Sequence, residues 1–165
     1  MPLAPAITEI EQLKDRPAVS RLLSWRSGAV REAKFDRDEL TVTIDRAYIR
    51  EACAVLREGT ETKFNFLSDV TCVDRHPLEP RFEVIYHLLS HSRKERVRLK
   101  VKLSGGDASL ESITSVWRAA NFFEREIFDL FGVRFLGHPD LRRIMMPDNW
   151  DGHPLRKDYP VEGFR

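Results

Sequence analysis

A chain of 165 residues, 42% hydrophobic and 32% charged, suits one globular domain with enough length to bury a real core. Its formal net charge of +1 argues against a nucleic-acid binder, which carries a strong basic excess, and against a basic membrane-attracted surface. No apolar run approaches the roughly 18 residues that span a bilayer, and the opening MPLAPAITEI has the marks of neither a signal peptide nor a transit peptide.

Residues 7–24 show helical spacing through Ile7, Ile10, Leu13, Leu22 and Leu23, and Pro17 breaks it into short pieces. Residues 28–35 and 39–44 are expected strands, the second rich in β-branched side chains, with Asp36-Arg37-Asp38 as a hairpin turn. Asp45 is placed to cap a helix that runs to Glu58 and is closed by Gly59. A strand is expected over 63–73. Over 81–90, Phe82, Val84, Tyr86 and Leu88 alternate on one face, while Ile85 and Leu89 mark the other, so this strand is expected to be central and covered on both sides. Over 96–103, Val97, Leu99, Val101 and Leu103 point inward and Arg96, Arg98, Lys100 and Lys102 outward, a half-exposed strand with a solvated basic face. Residues 115–131 carry one apolar stripe, Val116, Ala120, Phe123, Ile127 and Leu130, with Gly132 positioned as the left-handed residue past the helix end. The expected fold is α+β in two layers, helices packed on a mixed or antiparallel sheet, over residues 1–135.

Residues 136–165 differ in character. Pro139, Pro147, Pro154 and Pro160 rule out a long helix or a central strand. Ile144, Met145, Met146, Trp150, Leu155, Tyr159 and Phe164 are too many large apolar residues for a disordered tail. Such anchors order an arm only together with backbone hydrogen bonds and a receiving surface. That surface is either the chain's own domain or a partner, and an extended, anchored arm is a common way to grip a partner.

Cys53 and Cys72 stand far apart without neighbouring ligands and read as buried structural thiols, because iron–sulfur and zinc sites need clustered ligands. The sequence alone leaves a disulfide open, though nothing points to a secreted scaffold. No phosphate loop, dinucleotide fingerprint or nucleophile elbow is present. His138 and His153 head similar Gly-His-Pro turns, but no helical His spacing supports a metal site or a metal-dependent hydrolase. The run Glu124-Arg125-Glu126-Ile127-Phe128-Asp129 is the most informative. Glu126 and Asp129 occupy the last turns of a helix, where the dipole disfavours carboxylates. An Arg125–Asp129 pair relieves part of this, and the rest calls for outside cations, either Arg134, Arg142, Arg143, Arg156 and Lys157 downstream or arginines of a partner subunit. The plainer alternative is an exposed helix with solvated charges.

The run EREIFDLFGVRFLGHPDLRRIM at 124–145, continued by MPDNWDGHPLRKDYP to 160, resembles the signature of the thirty-kilodalton subunit of respiratory complex I, known by the letter C in bacteria. RFEVIYHLLS at 81–90 and SITSVWRAANFF at 112–123 resemble the same family, with Arg118 standing where relatives often have proline. The resemblance implies a non-catalytic scaffold in the hydrophilic arm of a proton-translocating NADH:quinone oxidoreductase, peripheral on the cytoplasmic face of the bacterial inner membrane. Electrons there pass from NADH through FMN and iron–sulfur clusters of other subunits to quinone, and no cofactor is expected in this chain. The implied neighbours are the forty-nine-kilodalton subunit, known by the letter D in bacteria, and the cluster-bearing subunits. Expected contact residues are Glu124, Arg125, Glu126, Asp129, His138, Arg142, Arg143, Trp150, His153, Leu155, Arg156, Lys157, Asp158 and Tyr159. The end at Arg165 points to the separate rather than the fused form of the subunit. The same module in a membrane-bound hydrogenase or another quinone-reducing complex is the alternative.

Overall fold

The computed structural model describes residues 5–162. Short helices α1 (Ile10–Leu13) and α2 (Pro17–Arg26) replace one long helix, with Pro17 at the start of α2, where its missing N–H costs nothing. The hairpin β1 (Val30–Asp36) and β2 (Glu39–Ile44) turns through Arg37 and Asp38, at φ 52° and 62°. The Asp45 carboxylate accepts from the Ala47 N–H at 2.9 Å, so it caps a 3₁₀ turn that leads into α3 (Ile49–Glu58) rather than capping α3 itself. Gly59 follows α3 with φ −59°, not the left-handed value expected. A Cβ there would strike Thr62 Oγ1, and that hydroxyl donates to Leu56 O at 2.8 Å, closing the helix end.

β3 (Phe66–Asp74), β4 (Phe82–Ser90) and β5 (Glu95–Leu103) complete a five-stranded mixed sheet of order β1-β2-β5-β4-β3. Neighbours are antiparallel except β2 and β5. One face is dry: Val42, Phe82, Val84, Tyr86, Leu88, Leu99 and Val101 are buried in one cluster with Leu22, Ile49, Leu56 and Ile127. α2 packs on α3, and α4 (Ala120–Phe131) lies against β3. The fold is therefore α+β in two layers.

The other face of β4 corrects an expectation. β4 lies inside the sheet, but Ile85 and Leu89 are only half-buried. They pair across β5 with Lys100 and Arg96, whose long stems flank an open surface in place of a covering layer. Arg98, Lys100 and Lys102 on that face pair with Glu39, Glu83 and Glu32, an internally neutralised solvated surface.

Residues 113–119 form turns, so α4 begins five residues later than its apolar stripe suggests. The strands β6 (Ser109–Glu111) and β7 (Arg134–Leu136) pair in parallel and bury Leu110 and Phe135, a contact of sequence-distant three-residue segments without a pattern of its own. No further helix or strand follows β7 among the described residues. Cys53 and Cys72 are buried and free, and burial pushes both thiols well above their usual range.

Candidate functional site

α4 ends at Gly132, in the left-handed conformation at φ +74°, and its N–H returns to Phe128 O at 2.9 Å. That turn delivers the chain through β7 to the arm, which folds back along the end of α4. Asp129, on the last turn, is fully buried there. Its Oδ2 accepts three consecutive backbone N–H groups, from Ile144, Met145 and Met146, at 2.9, 2.7 and 2.8 Å. Its Oδ1 accepts from Arg143 Nη1 at 2.6 Å. Burial by itself raises this carboxyl's pKa, yet the amides and the guanidinium outweigh it and hold it below the usual carboxylate range. The outside cation that the helix dipole calls for is thus Arg143, helped by three peptide dipoles.

Arg143 also spans the next loop, donating to Trp150 O and Gly152 O at 3.0 Å each. Arg125 does not pair with Asp129: it donates to Arg142 O at 3.2 Å and Arg143 O at 3.0 Å, because the arm's carbonyls reach it first. Of the downstream candidates, Arg143 is the one that meets Asp129. Glu126 is exposed and pairs with none of the arginines among the described residues, since it points to solvent one residue round the helix from Arg125. Arg142 is exposed and pairs with Asp140 at 2.8 Å, leaving Arg143 as the partner of Asp129.

Glu124 and His138 meet at the arm's root, both side chains fully covered and 4.0 Å apart. Glu124 accepts from Ser112 Oγ at 2.6 Å and Ile113 N–H at 2.7 Å. His138 Nδ1 accepts from Asp140 N–H at 3.0 Å, which puts the ring proton on Nε2, 3.2 Å from Asn121 O. Burial raises the Glu124 pKa from 4.5 to about 7, and the two hydrogen bonds only partly oppose it. The folded state therefore binds this proton more tightly than the unfolded chain does. The resulting stability is present below about 4.5 and is lost as pH rises through about 7, on the order of 3 kcal/mol in all. Glu124→Gln keeps an acceptor for Ile113 and offers a donor to Ser112. It should flatten the melting temperature against pH across that window; an unchanged profile would show that Glu124 does not titrate there.

The distal arm is fixed to the end of α4 and to β3. Leu155 N–H donates to Leu130 O at 3.0 Å and Arg156 Nε to Phe131 O at 2.6 Å. His153 Nδ1 carries its proton toward Asp129 O at 2.8 Å. The Lys157 N–H meets Asp74 at 2.8 Å. Arg81 bridges Asp74 (2.8 and 2.9 Å) and Asp158 (2.6 and 3.0 Å). Sequence reasoning misses Asp74 and Arg81; they end β3 and precede β4, and nothing local signals a partner 83 residues downstream. Burial raises the Asp74 pKa, but Arg81 and the amides of Lys157 and His76 together hold it far below the usual range.

Leu141 packs against the core and Met146 is half-buried, but other large apolar side chains of the arm stay exposed. Ile144 is 38% exposed, Met145 62%, Trp150 39% and Leu155 48%. Tyr159 is half-buried and donates from its hydroxyl to Asp151 O at 3.2 Å. Phe164 lies outside the described residues. Glu124, Arg125 and Asp129 are buried within the chain. His138 and His153 are engaged with backbone, and no three His, Cys, Asp or Glu side chains converge on a metal-binding geometry among the described residues. No helix among them is long and apolar enough to cross a membrane.

Residues 42–165 match the family model described as respiratory-chain NADH dehydrogenase, 30 Kd subunit. The NADH-quinone oxidoreductase C subunit from Citrifermentans bemidjiense is 44% identical over 146 residues, covering 88% of this chain and 89% of that protein. Its Geobacter sulfurreducens counterpart is 44% identical over 147 residues, covering 88% and 90%. A solved trypsin-resistant fragment (1–134) of Nqo5 superposes with a TM-score of 0.61 at 31% identity, covering 75% of this chain and 99% of the fragment. A chain of the archaeal membrane-bound sulfane sulfur reductase gives a TM-score of 0.73 at 24% identity, over 90% of this chain and 86% of that one, and shares the fold. These relatives do not favour a hydrogenase setting. The arm and the helix that carries it lie wholly inside the matched region, and the chain belongs to the 30 Kd subunit family of the respiratory-chain NADH dehydrogenase, as a subunit of the NADH:quinone oxidoreductase complex.

Proposed function

We propose that this chain is a cofactor-free scaffold of the oxidoreductase's hydrophilic arm, on the cytoplasmic face of the bacterial inner membrane, and that residues 136–165 dock on the forty-nine-kilodalton subunit. The observation that carries this is the polarity of the arm's contacts. It is tied to its own domain by carboxylates, guanidinium groups and backbone amides, while Met145, Trp150 and Leu155 face outward. A self-covering arm would turn those side chains inward. Division into a domain of residues 1–135 and an arm is supported by the Nqo5 fragment, a trypsin-resistant piece that superposes on three quarters of this chain. The forty-nine-kilodalton subunit is the neighbour the family resemblance implies. Electrons pass through groups held by other subunits, and this chain's part is to hold those subunits in place.

Truncation before Met146 tests the proposal. The shortened chain should keep its circular dichroism, while the complex purified from membranes lacks it or loses quinone reductase activity. A truncated chain that is stable and enters an active complex at normal levels would refute the docking role. For the cofactor-free assignment, the purified chain should show no visible absorbance. Cys53→Ser with Cys72→Ala should leave electron transfer in the assembled complex intact wherever the fold survives. Flavin or iron–sulfur bands in a folded preparation would reject it.

A further inference from the structure

The loop from Arg143 to Gly152 is closed by its backbone. Its entry is held by the three amides on Asp129 Oδ2, its exit by the Arg143 guanidinium on Trp150 O and Gly152 O, and its interior by the Trp150 N–H on Pro147 O at 3.0 Å. None of these ties uses an apolar side chain, so the loop keeps its shape while Met145 and Trp150 face outward. Between and beside them stand Asp148 and Asp151, both exposed and forming no ion pair among the described residues. Asp148 feels the Arg142 charge without touching it, whereas Asp74, Asp129, Asp140 and Asp158 each make a direct ion pair with an arginine of this chain.

We infer that this loop is the arm's docking tip: Met145 and Trp150 enter an apolar pocket of a second polypeptide whose rim carries arginine or lysine opposite Asp148 and Asp151. The inference rests on the docking role proposed above and names its contact. A fixed loop has already met most of the ordering cost of binding. Trp is the side chain that most often dominates an interface when its surroundings are desolvated. Two exposed carboxylates without ion-pair partners among the described residues select a basic rim and speed the encounter with it. The same charges disfavour a lipid occupant, since an anionic membrane surface repels them.

The test uses the full-length chain expressed with its complex. Trp150→Ala with Met145→Ala should leave the melting temperature of the isolated chain unchanged and lower its co-purification with the membrane complex about tenfold or more. Asp148→Lys with Asp151→Lys alters two exposed side chains outside the loop's own ties, so it probes docking even if the first pair disturbs the loop; it should lower co-purification likewise. Normal co-purification of both double variants, beside loss on truncation before Met146, would overturn the inference and leave the docking role standing. Normal co-purification of all three chains would overturn both. Sedimentation of the isolated chain with phosphatidylglycerol vesicles, abolished by Trp150→Ala, would make lipid the occupant and overturn the inference.

Discussion

Asp129→Ala should release the proximal arm at a cost of about 3 kcal/mol or more, against the roughly 0.5 kcal/mol or less of an ordinary surface change. The substitution leaves three neighbouring amides and a guanidinium without their acceptor, and each unsatisfied group costs about 1–3 kcal/mol before solvent repairs it. The amides lie near the surface, so water reaches them once the loop lifts. The expected result is local opening of residues 143–153 ahead of any unfolding of the sheet. Asp129→Asn should cost less: its oxygen still serves the amides, but its NH₂ faces Arg143. Double-mutant cycles should show coupling of Asp129 with Arg143 and additivity with Arg142. The low pKa of Asp129 adds an acid limb, with stability present above about 3.8 and lost as pH falls toward the folded value. Additivity with Arg143, or a cost within the surface range, would show that the carboxylate does not hold the arm.

The second large effect is expected at Gly132. Its φ of +74° costs an L-residue about 1 kcal/mol or more. A Cβ would also stand 2.5 Å from Arg156 Nη2 and 2.6 Å from His153 Cδ2 and Nε2. Both side chains would have to move, breaking the His153–Asp129 O and Arg156–Phe131 O bonds. Gly132→Ala should therefore cost about 2–3 kcal/mol and open the distal arm to trypsin at Arg156 and Lys157. Gly137 supplies the control. It has φ +77° and nothing within 4 Å of its would-be Cβ, so Gly137→Ala should pay the backbone term alone. Equal effects at the two glycines would mean that the packing of His153 and Arg156 on the helix end contributes nothing.

The strands, the break at Pro17, the stop at Gly132 and the two-layer class are legible because each is written in local periodicity or in one residue's backbone preference. The parallel β6–β7 pair is not, since three residues carry no period. The bare outer face of β4 misleads because Ile85 and Leu89 look like core until their neighbours on β5 are known to be Lys100 and Arg96. At the site, the mismatch of Asp129 with the helix dipole shows that a cation is needed, while the choice of Arg143 over Arg142 depends on where the chain turns after Pro139. The Asp74–Arg81–Asp158 cluster joins three segments across the fold, and such contacts leave no trace in sequence spacing.

Three adjacent amides bound to one carboxylate separate two properties that usually travel together. By side-chain exposure, Ile144 and Met145 belong to the surface. By hydrogen bonding, their N–H groups are as fully engaged as those of a central strand. Their solvent exchange is therefore set by the lifetime of a single clasp on α4: the protons of residues 144–146 leave together whenever Asp129 lets go, well before those of β4 and β5, and they time the arm's opening from within the intact domain.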